Sequence, residues 1–214
     1  MTEQDRMHAG QLYYAGNEAL SAARDQAKRL TWRYNQMDPA DWNGRTALLQ
    51  ELLGRLGKDS WIEPSFRCDY GSNITLGNGV FINYDCVFLD VAPITIGDRV
   101  LIAPQAGLYT ASHPLDPEIR ASGLEFGRPI TLESDVWLGG RAVVCPGVTI
   151  GSGSIIAAGS VVTRDIPAGV LAAGSPCRVL RTLTDADRAV WERQRREYEA
   201  SGGRYGAAVS QDQN

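Results

Sequence analysis

No stretch of this sequence approaches the ~18 consecutive apolar residues that a membrane-spanning helix needs, which argues against a membrane partner. The opening MTEQDRMHAGQLYY has no apolar core flanked by positive charge, so it does not read as a secretory signal. Histidine is scarce: His8 and His113 are the only two, too few for a metal centre built from several imidazoles. Cysteine is scarce as well. Cys68, Cys86, Cys145 and Cys177 lie far apart with no CxxC pair, which excludes a zinc ribbon or a dithiol redox motif and fits reduced thiols in the cytoplasm. A surplus of positive charge is also missing: 21 Lys+Arg against 25 Asp+Glu give a formal charge of -4, so no global basic field draws nucleic acid. What remains is an ordinary globular composition, 43% hydrophobic and 21% charged, in a chain of 214 residues.

Three zones differ in character. Residues 1–60 read as helical, with Leu20, Ala23, Ala27, Leu30 and Tyr34 at three- and four-residue steps. After a turn at Asp38-Pro39, Leu48, Leu49, Leu52, Leu53 and Leu56 make a second apolar face. From 61 to 182 charge thins and Gly, Val, Ile, Asn and Asp take over. The helical period returns over 183–200, where Thr184 can cap a helix, and 201–214 reads as a flexible tail.

The middle zone repeats every six residues. From Leu132 it runs LESDVW, LGGRAV, VCPGVT, IGSGSI, IAAGSV, VTRDIP, and each block opens on an aliphatic residue. The fifth positions are small or aliphatic: Val136, Ala142, Val148, Ser154, Ser160 and Ile166. The frame also fits upstream from Leu76, with Cys86 in a fifth position, and from Ile96; between Val87 and Ile96 it slips by two residues. A period of six is neither the 3.6 of a helix nor the two of a strand. A chain turning a corner every six residues would stack its openers into one core, and a large fifth residue would overpack it. Gly77, Gly97, Gly139, Gly151 and Gly159 are expected to supply positive φ at the bends. A β-sandwich of short strands is the alternative, but it has no reason to hold one frame over six blocks.

The frame pauses after His113. Residues 114–131, with three prolines, predict a projecting loop rather than a coil, because proline cannot donate a ladder hydrogen bond. His113 stands at the root of that loop, a place where functional groups collect, although a lone histidine can equally be structural. Glu125, later in the loop, is positioned to orient an imidazole.

The segments CDYGSNI (68–74), IGDRVLIAP (96–104), YTASHPLDPEIR (109–120), GRPITLESDVWLGG (127–140), PGVTIG (146–151) and AAGSPCRVLR (172–181) resemble the hexapeptide-repeat sugar O-acetyltransferases, a group that includes maltose, galactoside and nodulation-factor acetyltransferases. AGQLYY within the helical N-terminus is similar to the small domain that precedes the coils in maltose acetyltransferases. The resemblance implies a left-handed parallel β-helix, a homotrimer with active sites between subunits, and transfer of acetyl from acetyl-CoA to a sugar hydroxyl without a metal.

It also implies roles for individual residues. His113 matches the catalytic histidine; a sugar hydroxyl needs a general base to attack a thioester, and a neutral imidazole suits that work. Glu125 matches its partner, and Gly140 matches the donor of a backbone N–H to the oxyanion. Asp69, Asn83 and the Asp90-Val91 turn match sugar-contacting positions, or else are corner residues. The family often places an aspartate after the Leu-Tyr pair near the N-terminus; here Tyr14 and Ala15 stand there and Asn17 is the nearest candidate, which leaves the particular sugar open. Trp137 is either a core aromatic or a wall of the pantetheine tunnel. Ala158, Thr163, Arg164, Arg178 and Arg181 match cofactor-contacting positions, arginines being suited to the phosphates of CoA.

Two other enzymatic readings and one non-enzymatic reading compete. β-Helix carbonic anhydrases need more histidines than the chain has. An N-acetyltransferase acting on an amino sugar or a xenobiotic would share the fold and the base. A non-catalytic β-helix scaffold would need neither the S-x-H-P loop nor the arginines of the last coils.

Overall fold

The computed structural model describes residues 1–205; most of the expected tail, 206–214, lies outside the described residues. Helices α1 (Glu3–His8), α2 (Glu18–Asn35) and α3 (Trp42–Leu52) come first. A parallel β-helix of short strands follows from Trp61, interrupted by helix α4 (Pro117–Ala121), and helix α5 (Asp185–Ala200) comes after it. The strands form three faces. One has four strands, one has five, and one has seven, of which the last, Cys177–Thr182, turns back antiparallel.

The six-residue frame is the cause of this shape. All six openers from Leu132 to Val162 are fully buried, and so are the six fifth positions. Register stacks like on like: Ile62, Ile82, Ile102, Leu138, Ile156 and Ala172 form one inward column. Two fifth positions are serine, and their buried hydroxyls are paired. Ser154 Oγ donates to Pro167 O at 2.7 Å and Ser160 Oγ to Ala157 O at 2.6 Å, which removes the penalty of an orphaned hydroxyl.

The glycines act differently from the sequence expectation. Only Gly159 of the five has a positive φ; elsewhere the left-handed corners fall on Asp59, Asp85, Arg99, Gln105, Asp135 and Arg141 as well as on other glycines. Gly77, Gly97, Gly139 and Gly151 are needed for closeness instead. A Cβ on Gly97 would lie 2.6 Å from Ser134 N, and one on Gly151 would lie 2.4 Å from Ala168 N. These positions bring successive coils within hydrogen-bonding reach.

The helices cap the first coil. Leu20, Ala27, Leu30 and Tyr34 of α2 and Leu48, Leu49 and Leu52 of α3 are buried. Ala23 stays exposed. Arg24, beside it, reaches instead to the Tyr70 hydroxyl at 2.7 Å and to Ala15 O at 2.6 Å. Arg45 is buried with its guanidinium 4.2 Å from the Trp61 ring centroid and 3.2 Å from Glu63, tying α3 to the β-helix.

The pause in the frame is an antiparallel hairpin. Ala111–Ser112 pairs with Leu124–Gly127, α4 forms the tip, and the next coil resumes at Ile130 directly against Ile94. The other edge of the hairpin takes the strand Tyr13–Tyr14, with Tyr13 opposite Glu125. The slip between Val87 and Ile96 is a wider corner held by Asp90, whose Oδ1 accepts the Asp69 and Tyr70 N–H groups at 2.9 and 2.8 Å.

Two outcomes follow for stability. Gly97→Ala drives a methyl into backbone that cannot yield, so chemical denaturation should show a loss of roughly 1–3 kcal/mol or more. Burial pushes the Asp90 carboxyl up to about 6, against the lowering effect of the Tyr70 N–H. A carboxyl raised in the folded state binds its proton more tightly folded than unfolded, so its contribution is favourable at low pH and is lost as pH rises from about 4 through about 6. Asp90→Asn should therefore gain on the wild type across that window by on the order of 3 kcal/mol, measured as the difference between their unfolding free energies at pH 4 and pH 7.

Candidate active site

The residues singled out from the sequence fall into two groups at opposite edges of the five-stranded face. Asn83, Gly140 and Ala158 lie just before its strands Cys86–Leu89, Val143–Val144 and Val161–Val162. Trp137 sits in the strand leading to that edge, and Arg178 pairs there with Ala173. Asp69, Asp90, Thr163 and Arg164 lie just after strands of the same face, where the hairpin bearing His113 and Glu125 also departs. The strands between the edges separate the groups by roughly 15–20 Å, at ~3.3 Å per residue.

At the hairpin edge, register sets His113 beside Glu125, one step beyond the Ser112–Phe126 pair. The imidazole is 57% exposed, open to a reactant, and the carboxylate is 16% exposed. His113 Nδ1 is 3.9 Å from Glu125 Oε2, close enough to attract but too long for a hydrogen bond. Glu125 Oε1 accepts from the Tyr13 hydroxyl at 2.6 Å. Burial raises the Asp69 carboxyl above its ordinary value and the Glu125 charge adds to this, while Arg24 and Lys28 oppose it. This edge therefore gathers two carboxylates and one exposed imidazole.

Some expected site residues have other work. Asn17 caps α2, its Oδ1 accepting from Ala19 N at 3.1 Å. Asp90 is fully buried: Oδ1 holds the corner and Oδ2 has no partner among the described residues. Val91 is packed in an apolar cluster with Met7, Tyr13, Leu20 and Tyr70. Asn83 Oδ1 accepts from the N–H of Tyr84 at 2.8 Å, a corner bond. Arg181 is paired through both Nη atoms with Asp187 of α5 at 2.7 Å. Tyr13 was not singled out as a site residue, although it lies within the AGQLYY segment that carries the family resemblance.

At the other edge, Trp137 is 51% exposed, so it is not a core aromatic. It belongs to an outward column of Trp61, Phe81, Leu101, Trp137, Ile155 and Leu171 along the seven-stranded face. The Gly140 N–H makes no hydrogen bond among the described residues, although its carbonyl accepts from Gly159 N at 2.8 Å. Ala158 is exposed beside it. Arg178 donates to Cys177 O at 2.8 Å, and neither Arg178 nor Arg164 meets a carboxylate among the described residues. Among the described residues no cluster of His, Cys, Asp and Glu is arranged to hold a metal, and no helix is long and apolar enough to cross a membrane.

Comparison with known proteins agrees with the fold. Residues 6–57 match the maltose acetyltransferase hexapeptide capping motif and residues 129–164 the bacterial transferase hexapeptide (six repeats). The chain is 42% identical over 188 residues to galactoside O-acetyltransferase of Escherichia coli, covering 88% of this chain and 92% of that protein. It is 45% identical over 181 residues to nodulation protein L of Rhizobium meliloti, covering 83% and 97%. A maltose O-acetyltransferase from Clostridium difficile 630 superposes with a TM-score of 0.85 at 45% identity, over 86% of this chain and 98% of that one. A galactoside acetyltransferase in complex with coenzyme A gives a TM-score of 0.85 at 40% identity, over 88% and 94%. The chain belongs to the hexapeptide-repeat acetyltransferases, the acyltransferase family of the maltose and galactoside O-acetyltransferases.

Proposed function

We propose that the protein transfers acetyl from acetyl-CoA to a hydroxyl of a maltose- or glucose-like sugar, with His113 as general base, in sites shared between copies of a homotrimer. The observation that carries this is the exposed His113 imidazole set against a Glu125 carboxylate fixed from behind. With Nδ1 turned to Glu125, Nε2 is free to take the proton of the sugar hydroxyl as its oxygen attacks the thioester carbon. The carbon–sulfur bond then breaks, and the imidazolium returns the proton to the departing thiolate. Glu125 steadies that imidazolium, as a partner carboxylate does in hydrolytic triads. The free Gly140 N–H is a donor for the oxyanion.

Acetyl-CoA fits the edge lined by Trp137, Gly140 and Ala158, and one relative crystallised with coenzyme A shares this fold. Arg178 and Arg164 are suited to its phosphates, with Thr163 alongside; Arg181 would first have to leave Asp187. Asp69 is the carboxylate best placed to accept from sugar hydroxyls, with Asn83 facing from the other edge, whereas Asn17, Asp90 and Val91 shape the wall. The split between edges supports the trimer: one copy's hairpin edge meets its neighbour's Gly140 edge, and the half-exposed Leu101 and Trp137 lose contact with water. Four free thiols suit a reducing cytoplasm.

His113→Ala should lower turnover by roughly a hundred-fold or more, followed as CoA release on a panel of neutral sugars, amino sugars and chloramphenicol. Turnover confined to amines would move the acceptor to nitrogen. Retained activity in the variant would remove the base. Mixing two inactive proteins, His113→Ala and Ala158→Trp, under subunit exchange should restore activity in hybrid trimers; no recovery would place the whole site on one chain.

A further inference from the structure

Glu125 has two carboxylate oxygens and two different neighbours. Oε2 looks toward His113 Nδ1 at 3.9 Å, and Oε1 takes the Tyr13 hydroxyl at 2.6 Å, a charge-assisted distance. Tyr13 comes from outside the β-helix, 112 residues away in sequence. We propose that Tyr13 is a positioning residue that locks the Glu125 carboxylate toward His113, so that the N-terminal segment sets the geometry of the base; this rests on the reading of His113 as that base.

Three observations bear on the lock. The Tyr13 ring is fully buried among Met7, Leu20, Tyr70 and Val91, so its hydroxyl has little freedom to wander. Strand pairing puts Tyr13 directly opposite Glu125, which makes the contact a consequence of backbone register rather than of a flexible side chain. Burial and then the hydrogen bond to Glu125 push the Tyr13 phenol far above its ordinary range, so it remains a donor at any working pH.

The surroundings make such a lock necessary. The Asp69 carboxylate lies near enough to repel Glu125. Arg24 from α2 reaches the Tyr70 hydroxyl and Ala15 O rather than Glu125, and Lys28 Nζ pairs with Asp25 at 3.3 Å. From α1, Glu3 takes the N–H of Tyr14 at 2.5 Å. Tyr13 is thus the one hydrogen-bond donor that Glu125 finds among the described residues. Without it the carboxylate could turn from the imidazole, and the base would lose its orientation.

The test is a pair of variants and their combination. Tyr13→Phe keeps the ring and should leave the thermal midpoint nearly unchanged. It should lower kcat roughly ten- to a hundred-fold, the loss that one charge-assisted hydrogen bond carries. KM for acetyl-CoA should hold, so that the loss falls on kcat alone. Combined with Glu125→Gln, it should add no further loss, because both act through one carboxylate. A 3-fluorotyrosine at position 13, still a donor, should retain near wild-type kcat even if Tyr13→Phe folds poorly.

Wild-type kcat in Tyr13→Phe, multiplicative losses in the double variant, or a fluorotyrosine protein as slow as Tyr13→Phe would each overturn the proposal. Should His113→Ala keep full activity, the reading of the base falls with it. A dead His113→Ala beside an unaffected Tyr13→Phe removes the positioning role alone.

Discussion

Successive coils must stay within backbone hydrogen-bond distance around a whole turn, and the rest of the structure depends on this. Gly77 N reaches Ile96 O at 2.8 Å, Gly97 N reaches Leu132 O at 2.8 Å, and Gly151 N reaches Ile166 O at 2.8 Å. At such spacing one column has no room for a Cβ, the inward openers must be aliphatic, and the fifth residue must be small or fold its polar group onto the backbone. The stack is rigid because these demands repeat on every coil. A rigid stack can then hold groups at its corners to the tolerance that catalysis needs.

The corners are where chemistry is placed. Corners lie between the ladders of the faces, so the chain can insert a hairpin at one of them without disturbing the next coil: Ile130 pairs with Ile94 as though nothing intervened. The hairpin carries His113 and Glu125, and the N-terminal strand Tyr13–Tyr14 closes its open edge. Residues suited to the cofactor collect at the opposite edge of the same face. Within a single copy the strands of that face hold the two groups of residues apart.

Much of this was readable in the sequence. The hexapeptide frame showed the core because a period of six has one physical meaning, and every opener and fifth residue from Leu132 onward is buried. The break in the frame after His113 was legible as well, and the chain leaves the coil there for the hairpin. Four of the five glycines were misread, all but Gly159: the sequence reveals where a side chain is absent but not whether the backbone needs a positive φ or only space. The pairing of Tyr13 with Glu125 was not legible either, since two residues of strand carry no periodicity. Asn17, Val91 and Arg181 were read as ligands, yet a helix cap, an apolar cluster and Asp187 engage them. Each contact depends on a neighbour distant in sequence or on local helix geometry that one residue type does not announce.

A site joined from the hairpin edge of one copy and the Gly140 edge of another has a direct structural signature. A structure of the assembled protein with coenzyme A bound tests it most directly. The CoA sulfur is expected between His113 of one copy and the Gly140 N–H of its neighbour. A thiol reached by His113 and Gly140 of the same chain, or held far from both, would contradict it.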